Sequence, residues 1–85
     1  MIGTFVSSLA GHDKGEIYLV LRDEGNVLYL VNGTTKTVDR PKKKKLKHVQ
    51  KINKKVNDDL YERLINNMKI TDEEVKREIK LFMKQ

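Results

Sequence analysis

EIYLVLRDEGNVLYLV, residues 16–31, carries the plainest structural message in this chain. Ile17, Leu19 and Leu21 alternate with Tyr18 and Val20, and Val27, Tyr29 and Val31 alternate with Leu28 and Leu30. Side chains of period two point to opposite faces of a strand, and a glycine-bearing turn of hairpin length, Asp23-Glu24-Gly25-Asn26, lies between the two runs. The pattern predicts antiparallel strands over 16–22 and 26–31. Both faces of each strand are apolar, which a sheet wetted on one side does not require. The strands must curl into a small barrel or carry another part of the chain across one face.

The segments on either side extend the pattern. Residues 4–7 form a short strand with an apolar centre, and Asn32-Gly33 is a favoured pair for a tight turn with positive φ. Three strands in succession make a meander. A weaker fourth strand is expected at 35–38, after which Pro41, lacking an N–H, interrupts regular pairing. Residues 46–50 are expected to return as a closing strand, which leaves the intervening lysines on a rim.

The last third changes period. Val56, Leu60, Leu64 and Met68, with Tyr61 and Ile65 beside them, recur at helical spacing and predict a helix over 57–68. Asn57 or Asp58 can cap it, and Asp58, Asp59 and Glu62 suit the positive end of its dipole. A second helix starts at Thr71, where Thr71 and Glu74 form a capping-box pair ahead of an apolar stripe of Val75, Ile79, Phe82 and Met83. Short amphipathic helices are rarely stable alone, so these should cover the barrel or pair with each other. The expected fold is mainly β with an α-helical C-terminal tail: residues 1–52 as the β part, which includes the basic segment 40–52, and 53–85 as a helical extension.

At 85 residues, 38% hydrophobic and 35% charged, the chain has room for one small domain and a marginal core. A catalytic cleft of ordinary size does not fit easily. Cysteine is absent, which excludes disulfides and thiolate metal sites and suits a reducing compartment. The N-terminus has no basic region ahead of an apolar run, and no stretch approaches the roughly 20 apolar residues of a membrane span. A cytoplasmic protein without a membrane partner is expected.

Charge is concentrated in one place. RPKKKKLKHVQKINKK, residues 40–55, holds Arg40, Lys42, Lys43, Lys44, Lys45, Lys47, Lys51, Lys54 and Lys55, nine of the 18 Lys and Arg, and no acid. The segments before and after it balance to −2 and −1, so the net charge of +6 comes from this block alone. Localised excess of this kind is the footprint of an anion-binding face. Leu46, Val49 and Ile52 punctuate the run, whereas a disordered basic tail needs no apolar anchors. A solvated linker or an attachment to anionic lipid is the weaker reading, because no amphipathic insertion helix adjoins the block.

Gly11-His12-Asp13-Lys14-Gly15 joins the first two strands. Two glycines around three polar residues allow close backbone approach to a phosphate, but the same pattern also serves as a plain turn. His12 and His48, without cysteine or an acidic pair, fall short of a metal site, and no cofactor is expected. His48 suits either a packed position at a strand end or a nucleic-acid contact. Ser7 and Ser8 lack an elbow motif and an assignable base, so no catalytic residue is nominated. Phe5, Tyr18 and Tyr29 could stack on bases, although their alternation favours the core.

GTFVSSLAGHDKGEIYLVL, residues 3–21, resembles the KOW motif, in which a leading strand, a glycine-bounded loop ending Lys-Gly and a second apolar strand follow one another. Asn32-Gly33 followed by RPKKKKLKHV, residues 40–49, is similar to the basic strand of the archaeal and eukaryotic large-subunit ribosomal protein fourteen family. It is closer still to short bacterial KOW-domain RNA-binding proteins. The resemblance covers residues 2 to about 52; the helix at 57–68 has no counterpart in it.

The resemblance implies a small SH3-like barrel that binds RNA without catalysis, with ribosomal RNA the expected ligand and ribosomal proteins as further partners. The implied RNA-facing positions are Gly11, His12, Lys14 and Gly15 in the loop, with Arg40, Lys42, Lys43, Lys44, Lys45, Lys47 and His48 in the basic segment. Composition supports the second group independently. A different class of function, a protein-interaction adaptor of the translation or transcription machinery using the barrel or the helix pair, is the alternative. The sequence sets no oligomeric state.

Overall fold

The computed structural model describes residues 1–84. Five strands, β1 (Thr4–Ser8), β2 (Ile17–Asp23), β3 (Val27–Val31), β4 (Lys42–Lys45) and β5 (Val49–Lys55), precede two helices, α1 (Asp58–Ile65) and α2 (Asp72–Met83). The strands form one antiparallel sheet in the order β4-β3-β2-β1-β5. β4 and β5 are therefore its two edges, linked by one 3-10 turn at Leu46–His48. No ladder joins these edges, so the sheet is open. Both carry lysines, which discourage another strand from adding there.

The apolar character of both strand faces is accounted for twice over. Val6, Tyr18, Val20, Leu28, Leu30 and Val49 form a core on one face, enclosed by the twist of the sheet itself. Phe5, Leu19 and Val31 lie on the other face and are covered by Val56, Leu60, Leu64, Ile70 and Val75 from the C-terminal segment. Each fully buried Val or Leu contributes roughly 1.5–3 kcal/mol, so neither face could be left open to water without a large loss.

Local signals fix the helices. The Asn57 side chain accepts from Leu60 N at 2.9 Å to cap α1, and Thr71 and Glu74 complete the expected capping box of α2. The rings of Phe5 and Phe82 stack with centroids 4.6 Å apart, and Glu78 accepts from Asn57 N and Nδ2 at 3.0 Å each. Arg63 of α1 also reaches Glu74 and Asp59, so the helices pair with each other as well as with the sheet. No helix among the described residues is long and apolar enough to cross a membrane.

Four segments depart from the sequence pattern by more than a residue. Residues 35–38 are not a strand: the Asn32 side chain takes the amides of Thr34 and Lys36, and Val38 N donates to Asp72 Oδ1 at 2.8 Å, so this segment's donors are used locally. Pairing instead begins directly after Pro41, which sits outside the ladder, and the lysines themselves are β4. The closing strand runs over Val49–Lys55 rather than 46–50, because Leu46–His48 coils as a 3-10 turn and pairing with β1 continues to Lys55 opposite Thr4. The first helix ends at Ile65, where Asn67 takes a left-handed φ of 56° and Met68 N returns to Arg63 O; Met68, on the expected apolar stripe, is exposed.

Gly33 is where the turn meets α2. Its φ is +81°, and a Cβ there would lie 2.5 Å from Asp72 O and 2.7 Å from Lys76 Cγ. Only a residue without a side chain lets the turn approach the helix so closely.

Candidate nucleic-acid interface

The 11–15 loop is a closed turn. Lys14 N donates to Gly11 O and Glu16 N to Asp13 O, while Ser8 and Gly15 or Glu16 exchange backbone bonds at its base. Gly11 and Gly15 adopt φ of +86° and +89°, which turns the chain so that Asp13 points back toward the sheet.

Asp13 is the hub of the site. Its Oδ1 accepts from Ser8 Oγ at 2.9 Å and Lys44 Nζ at 2.8 Å, and its Oδ2 accepts from Tyr18 OH at 3.0 Å with Lys42 Nζ at 3.4 Å. Lys44 Nζ also donates to Ala10 O at 2.9 Å. Burial pushes the Asp13 carboxyl up, but hydrogen bonds from Lys44, Ser8 and Tyr18 and the charge of Lys42 outweigh it and hold the group well below the usual carboxylate range. Burial and the charges of Asp13 and Glu16 raise the Tyr18 hydroxyl far above its ordinary value, so it remains a donor.

The β4 strand divides its lysines by parity. Lys42 and Lys44 turn inward to Asp13, whereas Lys43 and Lys45 are exposed on the opposite side. Lys43 pairs in register with Tyr29, whose other neighbour is Arg22 of β2; the Arg22 guanidinium lies 4.2 Å above the Tyr29 ring. The row Arg22, Tyr29, Lys43 thus sets two cations on either side of one aromatic ring.

The remaining nominated residues lie around this pair of elements. His12 and Lys14 are exposed at the loop tip, and Arg40 is exposed ahead of β4. Lys47 is exposed on the 3-10 turn, and His48, half-buried, accepts from Leu9 N through its carbonyl at 2.8 Å. Among the described residues Arg40, Lys43, Lys45, Lys47, Lys51 and Lys54 form no ion pair within 4 Å. Lys55 is engaged by Asp58 at 3.4 Å and by the Tyr61 ring. Six of the nine cations in the block therefore remain available to an external anion, and the other three are committed to the protein.

The sequence pattern does not single out Asp13, Ser8 or Tyr18. Their convergence depends on Lys44, 31 residues beyond Asp13, and no local sequence signal marks it. Phe5 and Tyr18 are each 2% exposed and belong to the core, while Tyr29 is half-buried. No group of three or more His, Asp or Glu side chains converges as a metal site among the described residues. Compared with protein-family models and with curated proteins, the chain matches none of them.

Proposed function

We propose that this chain is a non-enzymatic, cytoplasmic RNA-binding protein that contacts ribosomal RNA, or the ribosome, through the composite face made by the 11–15 loop and residues 40–48. The observation that carries this reading is the Asp13–Lys44 contact at 2.8 Å, which joins loop and lysine strand while Arg40, Lys43, Lys45 and Lys47 form no ion pair among the described residues. A sheet ordered β4-β3-β2-β1-β5, with a 3-10 turn between its edge strands, supports placing the face on a partly open SH3-like barrel of the KOW type.

Binding is mainly electrostatic. Lysines neutralise phosphates and release counterions without reading bases, so about five contacts give a log–log salt slope of roughly −3.5 for single strands and −4.5 for a duplex of B-DNA-like charge density. Selectivity then comes from RNA shape and 2′-hydroxyl contacts. The test is fluorescence anisotropy with a structured ribosomal RNA fragment across a salt series, using the chain and a Lys43→Glu, Lys45→Glu, Lys47→Glu variant. Weaker binding with a shallower slope in the variant is expected. Absence of binding at low salt, or equal binding by the variant, overturns the proposal.

A further inference from the structure

Where β3 begins and β4 ends, an open groove of about 330 Å³ is lined by Asn26, Val27, Lys45, Leu46 and Lys47. Its two walls are held together: Leu46 N donates to Asn26 O at 2.8 Å, and Val27 pairs with Lys45 in the β3–β4 register. The floor is apolar. Leu46 is 39% exposed at the end of a strand of lysines, a position where burial does not ask for leucine. Lys45 and Lys47 form no ion pair, and the Asn26 side-chain amide forms no hydrogen bond, among the described residues.

We propose that this groove receives one unpaired nucleotide of a bound RNA. The base lies on Leu46 and Val27, the Asn26 amide meets its hydrogen-bonding edge, and Lys45 and Lys47 hold the phosphates on either side. A nucleotide within a strand is an unsaturated ring between two anions, and the groove is an apolar floor between two free cations. An apolar peptide would leave both lysines without partners. The volume lies at the low end of small-molecule sites, about 300–1,000 Å³, and suits one nucleoside rather than a dinucleotide. Bases in a perfect duplex are stacked and paired inside the helix, so only a bulge, loop or end can supply the occupant. The inference rests on the RNA-binding reading above and adds to it a preference for RNA with an unpaired position.

The experiment compares two RNAs, a duplex with a single bulged 2-aminopurine and the same duplex fully paired, each titrated with the full chain at fixed salt. The chain is expected to bind the bulged RNA about fivefold or more tightly, with 2-aminopurine emission rising as the base leaves its stack for an aliphatic surface. Leu46→Ala and Asn26→Ala should each reduce the preference to about twofold or less while affinity for the paired duplex changes little; because both side chains are exposed, thermal melting close to that of the parent chain verifies folding. Equal affinity of the parent chain for the two RNAs, or a preference that survives both substitutions, overturns the groove assignment alone. Failure of the parent chain to bind either RNA at low salt overturns the RNA-binding reading and the groove together.

Discussion

Asp13 and Lys44 lie 31 positions apart in the chain and meet at 2.8 Å, with side chains only 13% and 9% exposed. Withdrawing two charges from water costs more than their attraction returns unless the remaining hydrogen-bonding capacity is filled. Here it is filled: Ser8 and Tyr18 donate to the carboxylate, and Ala10 O accepts from the ammonium. Lys44 is therefore committed to the fold, and its contact with Asp13 fixes the 11–15 loop against β4.

Asp13→Asn separates geometry from charge. The substitution raises the net charge by one, so an account based on charge number expects tighter RNA binding. The tether predicts the reverse, because the amide keeps only one accepting oxygen: its NH2 faces either Lys44 Nζ and Ser8 Oγ or Lys42 Nζ and Tyr18 OH, donor against donor, which loosens the loop. Anisotropy against structured RNA should show affinity falling about three- to tenfold with the salt slope nearly unchanged. Tighter binding would rule out the tether as an organiser of the face.

Parity along β4 gives a second contrast. Lys43→Glu and Lys45→Glu alter exposed side chains and should change stability by no more than about 0.5 kcal/mol while weakening RNA binding. Lys44→Glu places a second carboxylate against Asp13 in a nearly dry position and should cost on the order of 3–5 kcal/mol. Urea denaturation of the three variants checks this, and equal losses for Lys43→Glu and Lys44→Glu would contradict the inward orientation of Lys44.

The hairpin at 17–31 and the capping box are legible because each depends on neighbours in sequence: alternation, a glycine turn, or a residue pair three apart. The errors fell where a long-range partner won. Val38 turns away from a strand because Asp72, 34 residues later, takes its amide. The lysines 42–45 read as a rim because the closing strand is expected only after them, at 46–50, yet the unpaired edge of β3 accepts them as a strand. Asp13 could not be recognised as a hub without knowing that β4 passes over the loop.

Stability should fall steeply in acid. Contact with Arg63 holds Glu74 down from 4.5 to about 2, and the N-terminal ammonium, together with Gly25 N, lowers Asp23. Asp13 lies lower still than its ordinary value. Carboxyls depressed in the folded state stabilise it fully above their unfolded pKa and lose that contribution as pH falls through the folded one. Urea midpoints should thus be flat from neutrality to about pH 4.5 and then drop by the equivalent of on the order of 1–3 kcal/mol toward pH 2. Glu74→Gln should lower the plateau and flatten the descent; an unchanged descent would show that the Arg63–Glu74 contact contributes nothing to it.

Gly33→Ala tests how α2 is seated, with Gly25→Ala as its control. Both glycines have φ near +80°, so each substitution carries the same left-handed backbone penalty, about 1 kcal/mol. Their surroundings differ: nothing lies within 4 Å of a Cβ at Gly25, whereas at Gly33 it would meet Asp72 O at 2.5 Å and Lys76 N at 3.0 Å. Those are backbone atoms at the N-terminal end of α2 and cannot rotate aside, so relief requires the helix to shift. Such a shift strains the Asp72–Val38 bond and the Phe5–Phe82 stack. The Gly33 variant should therefore lose about 2–4 kcal/mol and the Gly25 variant about 1 kcal/mol. Denaturant titrations measure the difference directly, and equal losses would show that the turn and the helix are not in the close contact that seats α2 over Leu19 and Val31.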